Sequence, residues 1–96
     1  IGAPTLVEVT IVLVRRYGEV GRTALWNFLG ERQVLAIPFD GRHWSAASDA
    51  FLRFGKGRHP ARLNLGDCMT YAVARVAGEP LLFIGNDFAK TDIAPA

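Results

Sequence analysis

Apolar residues run almost unbroken from Leu6 to Val14, with Thr5, Glu8 and Thr10 as the polar interruptions. Periodicity alone does not separate a buried helix from a strand in such a run. Pro4 in the first turn and the pair Arg15-Arg16 ahead of Tyr17-Gly18 predict a helix. Gly18 and Gly21 then bracket a turn, and Thr23 to Arg32 predicts a second helix with Leu25, Trp26, Phe28 and Leu29 on its apolar side. Val34 to Phe39 reads as a short buried strand with Pro38 near its end. Asp40-Gly41 caps a third helix, His43 to Phe54, with Trp44, Ala47, Phe51 and Leu52 inward.

The irregular, basic segment Gly55 to Arg62 leads into the most organised stretch, Leu63 to Phe88. Asn64 followed by Asp67 is a helix start, a side-chain acceptor with an acidic residue in the first turn. Met69, Ala72, Val73 and Val76 recur at helical spacing, and Gly78 ends the run. Leu81 to Ile84 is a short apolar run of the kind that forms a strand covered on both faces. Gly85-Asn86-Asp87 follows it, and Phe88 to Ile93 is a short terminal turn.

Short apolar strands alternating with helices predict a three-layer α/β/α fold with a short parallel sheet. A helix of about 12 residues spans about 18 Å, and a strand of about five residues spans about 17 Å. Packed antiparallel, they return the chain to its starting level and bring Asp67 and Asp87 to one sheet edge, where open α/β sheets place ligands. Glu8, about one turn into its helix, and Asp40, after the second strand, map to that edge too. The topology thus predicts that four of the nine acidic residues cluster there.

Neighbouring carboxylates repel and raise one another's pKa unless a cation intervenes. Oxygen-only donors without cysteine or paired histidine favour Mg²⁺, with Mn²⁺ as a substitute. Such an ion can polarise a phosphoryl oxygen and activate water. Each carboxylate also has a plainer explanation. Asp67 and Glu8 complement a helix dipole, and Asp40 and Asp87 suit turns. Glu8 is the hardest to explain that way, because its neighbours are so apolar. Lys56, Arg58, His59 and Arg62, mixed with two glycines, either track a phosphate backbone or form an ordinary solvated loop.

Composition narrows the picture further. Ninety-six residues, half of them apolar and 21% charged, suit one globular domain covering residues 1–96. A formal charge of +2 is too small to argue for nucleic acid by itself. The single cysteine, Cys68, excludes an internal disulfide and reads as a small buried residue in a reducing, cytoplasmic setting. No apolar run approaches the roughly 20 residues of a membrane span, so no membrane association is expected. Neither a GxGxxG after a strand nor a GxxxxGK[ST] occurs, so nucleotide-cofactor and P-loop readings lack their fingerprint.

The segment Pro4-Thr5-Leu6-Val7-Glu8, then GKGRHPARLNLGDCMTYAVARVAGEPLLFIGNDFAKTDI from Gly55 to Ile93, closely resembles the PIN-domain toxins of the VapC family. The resemblance runs through essentially the whole chain, and its most specific part is LNLGDC followed by GNDF. It implies an Mg²⁺-dependent endoribonuclease of a type II toxin–antitoxin pair. Carried over by position, Glu8, Asp67 and Asp87 are its metal-binding catalytic carboxylates, and Asp40 is left as a cap. The basic loop, Lys56, Arg58, His59 and Arg62, is implied to face RNA or the antitoxin. A VapB-type antitoxin and a homodimer are the implied partners.

One departure stands out. The family's first metal-binding aspartate lies in an Asp-x-Ser/Thr-Ala motif on the central strand, and no such motif is present. The expectation is a PIN-like domain that is incomplete at its N-terminus. The alternative function is then a catalytically inert fragment that retains a dimer or antitoxin-binding surface.

Overall fold

A computed structural model describes residues 1–96. The chain packs as two compact units, Ile1–Pro38 and Phe39–Ala96.

The first unit is a pair of helices. Helix α1, Ala3–Tyr17, has Pro4 in its opening turn and Arg15 and Arg16 in its last, as the sequence predicts. Helix α2 runs Glu19–Glu31 and starts earlier than expected. The whole reversal is made at Gly18, whose φ of 70° lies in the left-handed region that suits glycine. Its N–H closes α1 on the Val14 carbonyl, and its own carbonyl accepts the Gly21 N–H at 3.0 Å. The extended expectation for α1 as a buried element is not met, since none of its residues is buried. Of the apolar side expected for α2, Leu25 and Leu29 are half-buried and Trp26 and Phe28 are exposed. The exposed rings carry guanidinium groups instead, Arg22 at 4.4 Å from the Trp26 ring centre and Arg32 at 5.7 Å from that of Phe28.

The second unit holds α3, Gly41–Phe54, and α4, Leu65–Ala77, followed by a short 3-10 helix, Phe88–Lys90. Both α-helices begin in capping boxes. Asp40 accepts the Arg42 N–H at 2.9 Å while its own N–H donates to His43 Nδ1 at 3.0 Å. That bond satisfies the buried His43 ring. The inward face of α3 is His43, Ala50 and Phe54, with the expected Ala47 packed against it, while the expected Trp44, Phe51 and Leu52 remain exposed. Helix α4 ends at Gly78 with φ 68°, as the sequence predicts. Its buried face is Cys68, Tyr71, Ala72 and Ala74. These join Ala50, Phe54, Ala61, Leu63, Phe88 and Ile93 in the buried interior of this unit.

The parallel sheet expected from the strand-like runs is not formed. Val34–Phe39 makes one isolated parallel bridge, Gly2 to Ile37, and Leu81–Ile84 makes one, Leu81 to Pro95. A ladder needs successive residues on both chains to exchange hydrogen bonds. Gly2 cannot extend its pairing because α1 begins at the next residue. At the other bridge the Leu81 N–H bonds the Ala94 carbonyl and the Ala96 N–H bonds the Leu81 carbonyl, both 2.8 Å, and no second bridge follows. Where strands were expected there are isolated bridges, without the ladders that define a sheet. No helix is long and apolar enough to cross a membrane.

Candidate functional site

In the second unit, the candidate residues from Lys56 to Asp67 are built around the start of α4. The chain leaves α3 at Gly55, makes a loop, and returns at Leu63, where the two residues form a parallel bridge. The Lys56 N–H on the Leu63 carbonyl and the Leu63 N–H on the Phe54 carbonyl, both 2.9 Å, fasten the neck of the loop. Leu63 is fully buried, so the neck is anchored in the core. The next residue is Asn64, the N-cap of α4. The loop and the helix start are thereby held at one place by the backbone itself.

The loop carries uncompensated positive charge. Lys56, Arg58 and Arg62 are exposed and have no carboxylate partner. Gly57, with φ 84°, and Arg62, with φ 56°, turn the chain at the two sides of the loop. His59 stiffens it: Nδ1 accepts the Ala61 N–H at 3.0 Å and the ring stands edge-on to Phe54 at 5.1 Å between centres. Arg58 lies 5.9 Å from the Phe51 ring centre.

Asp67 is half-buried in the first turn of α4. Its Oδ2 accepts the Asn64 N–H at 3.1 Å, and Asn64 Oδ1 accepts the Asp67 N–H at 2.9 Å, so the cap uses one carboxylate oxygen and leaves the other open. The neighbouring Cys68 thiol is buried, and burial, with the Asp67 charge second, pushes its pKa up and keeps it protonated. Cys68 therefore packs, as the sequence suggests.

Asp87 lies in the exposed turn ahead of the 3-10 helix, and its carboxylate makes no hydrogen bond. Glu8 is exposed on α1 in the first unit and makes no ion pair. Asp40 is the cap the plainer reading assigns. Its side-chain bond with Arg42, helped by the Arg42 backbone N–H, holds its carboxyl at about 2. The donor chemistry of Glu8, Asp67 and Asp87 fits a hard divalent cation, being all carboxylate oxygen with open lone pairs. Neither unit by itself gathers three metal-ligating side chains.

A second polar cluster has no forewarning in the sequence pattern. Asp92 accepts the Tyr71 hydroxyl at 2.6 Å, Arg53 at 3.0 Å and Arg75 at 2.5 Å. Burial alone would raise the Asp92 pKa, but the Tyr71 and Arg53 hydrogen bonds and the two guanidinium charges outweigh it and hold the carboxyl below its usual range. Tyr71 and Arg75, four apart on α4, are the one local hint. Nothing in the pattern says that a residue far along the chain completes them.

Comparison with known proteins places the chain in a family. A family model described as the PIN domain matches residues 1–94. The chain is 50% identical over 91 residues to the ribonuclease VapC36 of Mycobacterium tuberculosis, covering 95% of this chain and 66% of that protein. It is 46% identical over 87 residues to a ribonuclease VapC of Mycolicibacterium smegmatis, covering 91% of this chain and 67% of that one. It is 41% identical over 95 residues to ribonuclease VapC42 of Mycobacterium tuberculosis, covering 98% and 72% respectively. The chain thus spans about two thirds of the length of the relatives it matches. With a family match over nearly all its residues, the chain belongs to the PIN-domain family, among its VapC members.

Proposed function

We propose that this chain is the greater part of a metal-dependent endoribonuclease of the VapC type, in which Glu8, Asp67 and Asp87 hold the metal and Lys56, Arg58, His59 and Arg62 seat the RNA. The observation that carries the reading is the stapled neck, which fixes an unneutralised basic loop directly before the helix turn bearing Asp67. A phosphodiester needs cations for its backbone and carboxylates for the cation that hydrolyses it, and this arrangement offers both at one helix start. The relatives' names as ribonucleases support the same reaction. The PIN-domain match through residues 1–94 supports reading the two units as parts of one PIN-like domain.

Mg²⁺, or Mn²⁺ in its place, would supply activated water and charge neutralisation at the phosphorus. The chain's own residues orient it. Asp67 contributes the oxygen that its cap leaves open, with its backbone fixed by the Asn64 bonds. Asp87 contributes a carboxylate free of internal bonds. Lys56, Arg58 and Arg62 hold the substrate phosphates by charge, and His59 keeps their loop in shape through Ala61. A VapB-type antitoxin and a second copy of the chain are the partners we assign, in the cytoplasm. An exposed apolar groove of about 700 Å³ between α3 and α4, lined in part by Trp44, Leu52, Leu65 and Met69, supports protein partners of this kind.

One observation favours a second reading, an inert module that keeps a partner-binding surface: neither unit alone gathers three ligating side chains. A single experiment separates the two. Labelled RNA is incubated with the chain in Mg²⁺, in EDTA, and with Glu8→Gln, Asp67→Asn and Asp87→Asn variants. Metal-dependent cleavage that each variant abolishes is the expected result. Cleavage that survives in Asp67→Asn and Asp87→Asn overturns the site assignment, and no cleavage by the parent chain, with antitoxin binding retained, establishes the inert module.

A further inference from the structure

Asp87 is poorly held by its immediate surroundings. Gly85, Asn86 and Asp87 are exposed, Gly85 adopts φ 94°, and the Asp87 carbonyl receives only a long bond, 3.4 Å, from the Lys90 N–H. A metal-binding carboxylate on such a turn would swing freely unless something downstream fixed it. The following residues do so. Phe88 is buried with its ring 5.5 Å from that of Phe83. Thr91 Oγ1 donates to the Phe88 carbonyl at 2.7 Å and accepts the Ile93 N–H at 3.2 Å. Between Thr91 and Ile93 sits Asp92, on which Tyr71, Arg53 and Arg75 converge.

We propose that Asp92 is a positioning residue: through the Tyr71 and Arg75 donors it locks the Asp87 turn to α4, the helix that begins with Asp67, and through the Arg53 donor to the end of α3. Buried apolar contacts at Phe88 and Ile93 set the depth of this segment but are non-directional and leave it free to slide. Three hydrogen bonds to one carboxylate fix its direction. An isolated surface ion pair contributes little, but here one donor, Tyr71, is 1% exposed, so its ring anchors the network in the core. Arg75 also donates to the Tyr71 hydroxyl at 2.8 Å, closing the arrangement on itself. Groups bonded directly to a metal ligand commonly matter about tenfold or more to metal affinity or activity. Asp92 does not touch Asp87 and acts one step further off, through the backbone from Phe88 to Asp92, so its effect is smaller.

This inference rests on the reading of Asp87 as a metal ligand, and its test separates the two. Mn²⁺ alone is titrated calorimetrically into the full chain, and amide hydrogen exchange is followed, for the parent, Asp92→Asn, Tyr71→Phe and Asp87→Asn. In Asp92→Asn an amide faces two arginines, whereas Tyr71→Phe keeps the ring and removes one bond. The expected result is a Kd for Mn²⁺ raised severalfold, up to about tenfold, in Asp92→Asn and less in Tyr71→Phe, with faster exchange at Gly85 to Phe88 and unchanged exchange in α1. Unchanged affinity and exchange in a folded Asp92→Asn overturn the inference. Should Asp92→Asn fail to fold, Tyr71→Phe decides by the same two readouts. If Asp87→Asn binds Mn²⁺ like the parent, the reading of Asp87 as a ligand falls, and exchange, which needs no metal, still decides whether Asp92 fixes the turn.

Discussion

Asn64 and Asp67 bond each other twice, Asn64 Oδ1 accepting the Asp67 N–H at 2.9 Å and Asp67 Oδ2 accepting the Asn64 N–H at 3.1 Å. A residue assigned to metal binding is therefore also a capping residue, and the two roles separate by substitution. Asn64→Ala removes the cap acceptor and is expected to cost about 1 kcal/mol of unfolding free energy in urea. Asp67→Asn keeps an acceptor oxygen and is expected to cost less, while RNA cleavage falls further in Asp67→Asn than in Asn64→Ala. Parent-like cleavage by Asp67→Asn would leave Asp67 as a cap alone.

Two glycines of α2 make opposite predictions. A Cβ on Gly21 would lie 2.6 Å from the Leu13 carbonyl oxygen of α1, a backbone atom that cannot move aside cheaply. A Cβ on Gly30 would meet nothing within 4 Å. Gly30→Ala should stabilise by up to about 1 kcal/mol through helix propensity. Gly21→Ala should destabilise despite the same propensity gain, because α1 and α2 must separate. Thermal unfolding of the two variants beside the parent measures both signs.

Acid stability tests the α3 cap. The folded-state pKa of Asp40 is about 2, below the usual 3.8, chiefly through its side-chain bond with Arg42. A carboxyl depressed on folding contributes stability that is fully present above its unfolded pKa and is lost as pH falls through the folded value. The parent should therefore lose stability between about pH 4 and pH 2. Asp92, also held below its usual range, acts in the same direction. Asp40→Asn should be less stable than the parent at neutral pH and show a shallower decline on acidification, read as Tm against pH. Parallel curves for the two proteins would remove Asp40 from the acid limb.

What the sequence revealed, and what it hid, divides along contact range. The caps at Asp40 and Asn64, the stop at Gly78 and the proline start of α1 were legible because each depends on residues within one turn. The sheet was not, because Ile37 and Leu81 look like strand residues whatever lies beside them, and each finds a single bridge partner, Gly2 and Pro95, instead of a ladder. The topological argument for four carboxylates at one edge depended on that sheet. The inward face of α3 was misread because His43 is polar by type yet buried by its bond to the Asp40 N–H. Resemblance carried the assignment of Glu8, Asp67 and Asp87. It was silent on Asp92, whose partners Arg53 and Tyr71 come from two different helices.

The basic loop makes the final prediction, one that depends on charge rather than on shape. Lys56, Arg58 and Arg62 have no carboxylate partner, so removing one leaves no buried charge behind and should leave Tm almost unchanged. Each phosphate contact releases condensed counterion, and for single strands the slope of log K against log salt is about −0.7 per contact. Lys56→Ala and Arg58→Ala are therefore each expected to weaken binding of a single-stranded RNA oligonucleotide and to reduce that slope by about 0.7, uniformly across sequences. His59→Ala should differ in kind. It withdraws the acceptor from the Ala61 N–H and the ring from Phe54, so it should lower Tm and weaken RNA binding through loss of loop shape, with the salt slope retained. Fluorescence anisotropy across a salt series reads both effects. Slopes unchanged in the Lys56 and Arg58 variants would remove the loop from the RNA interface.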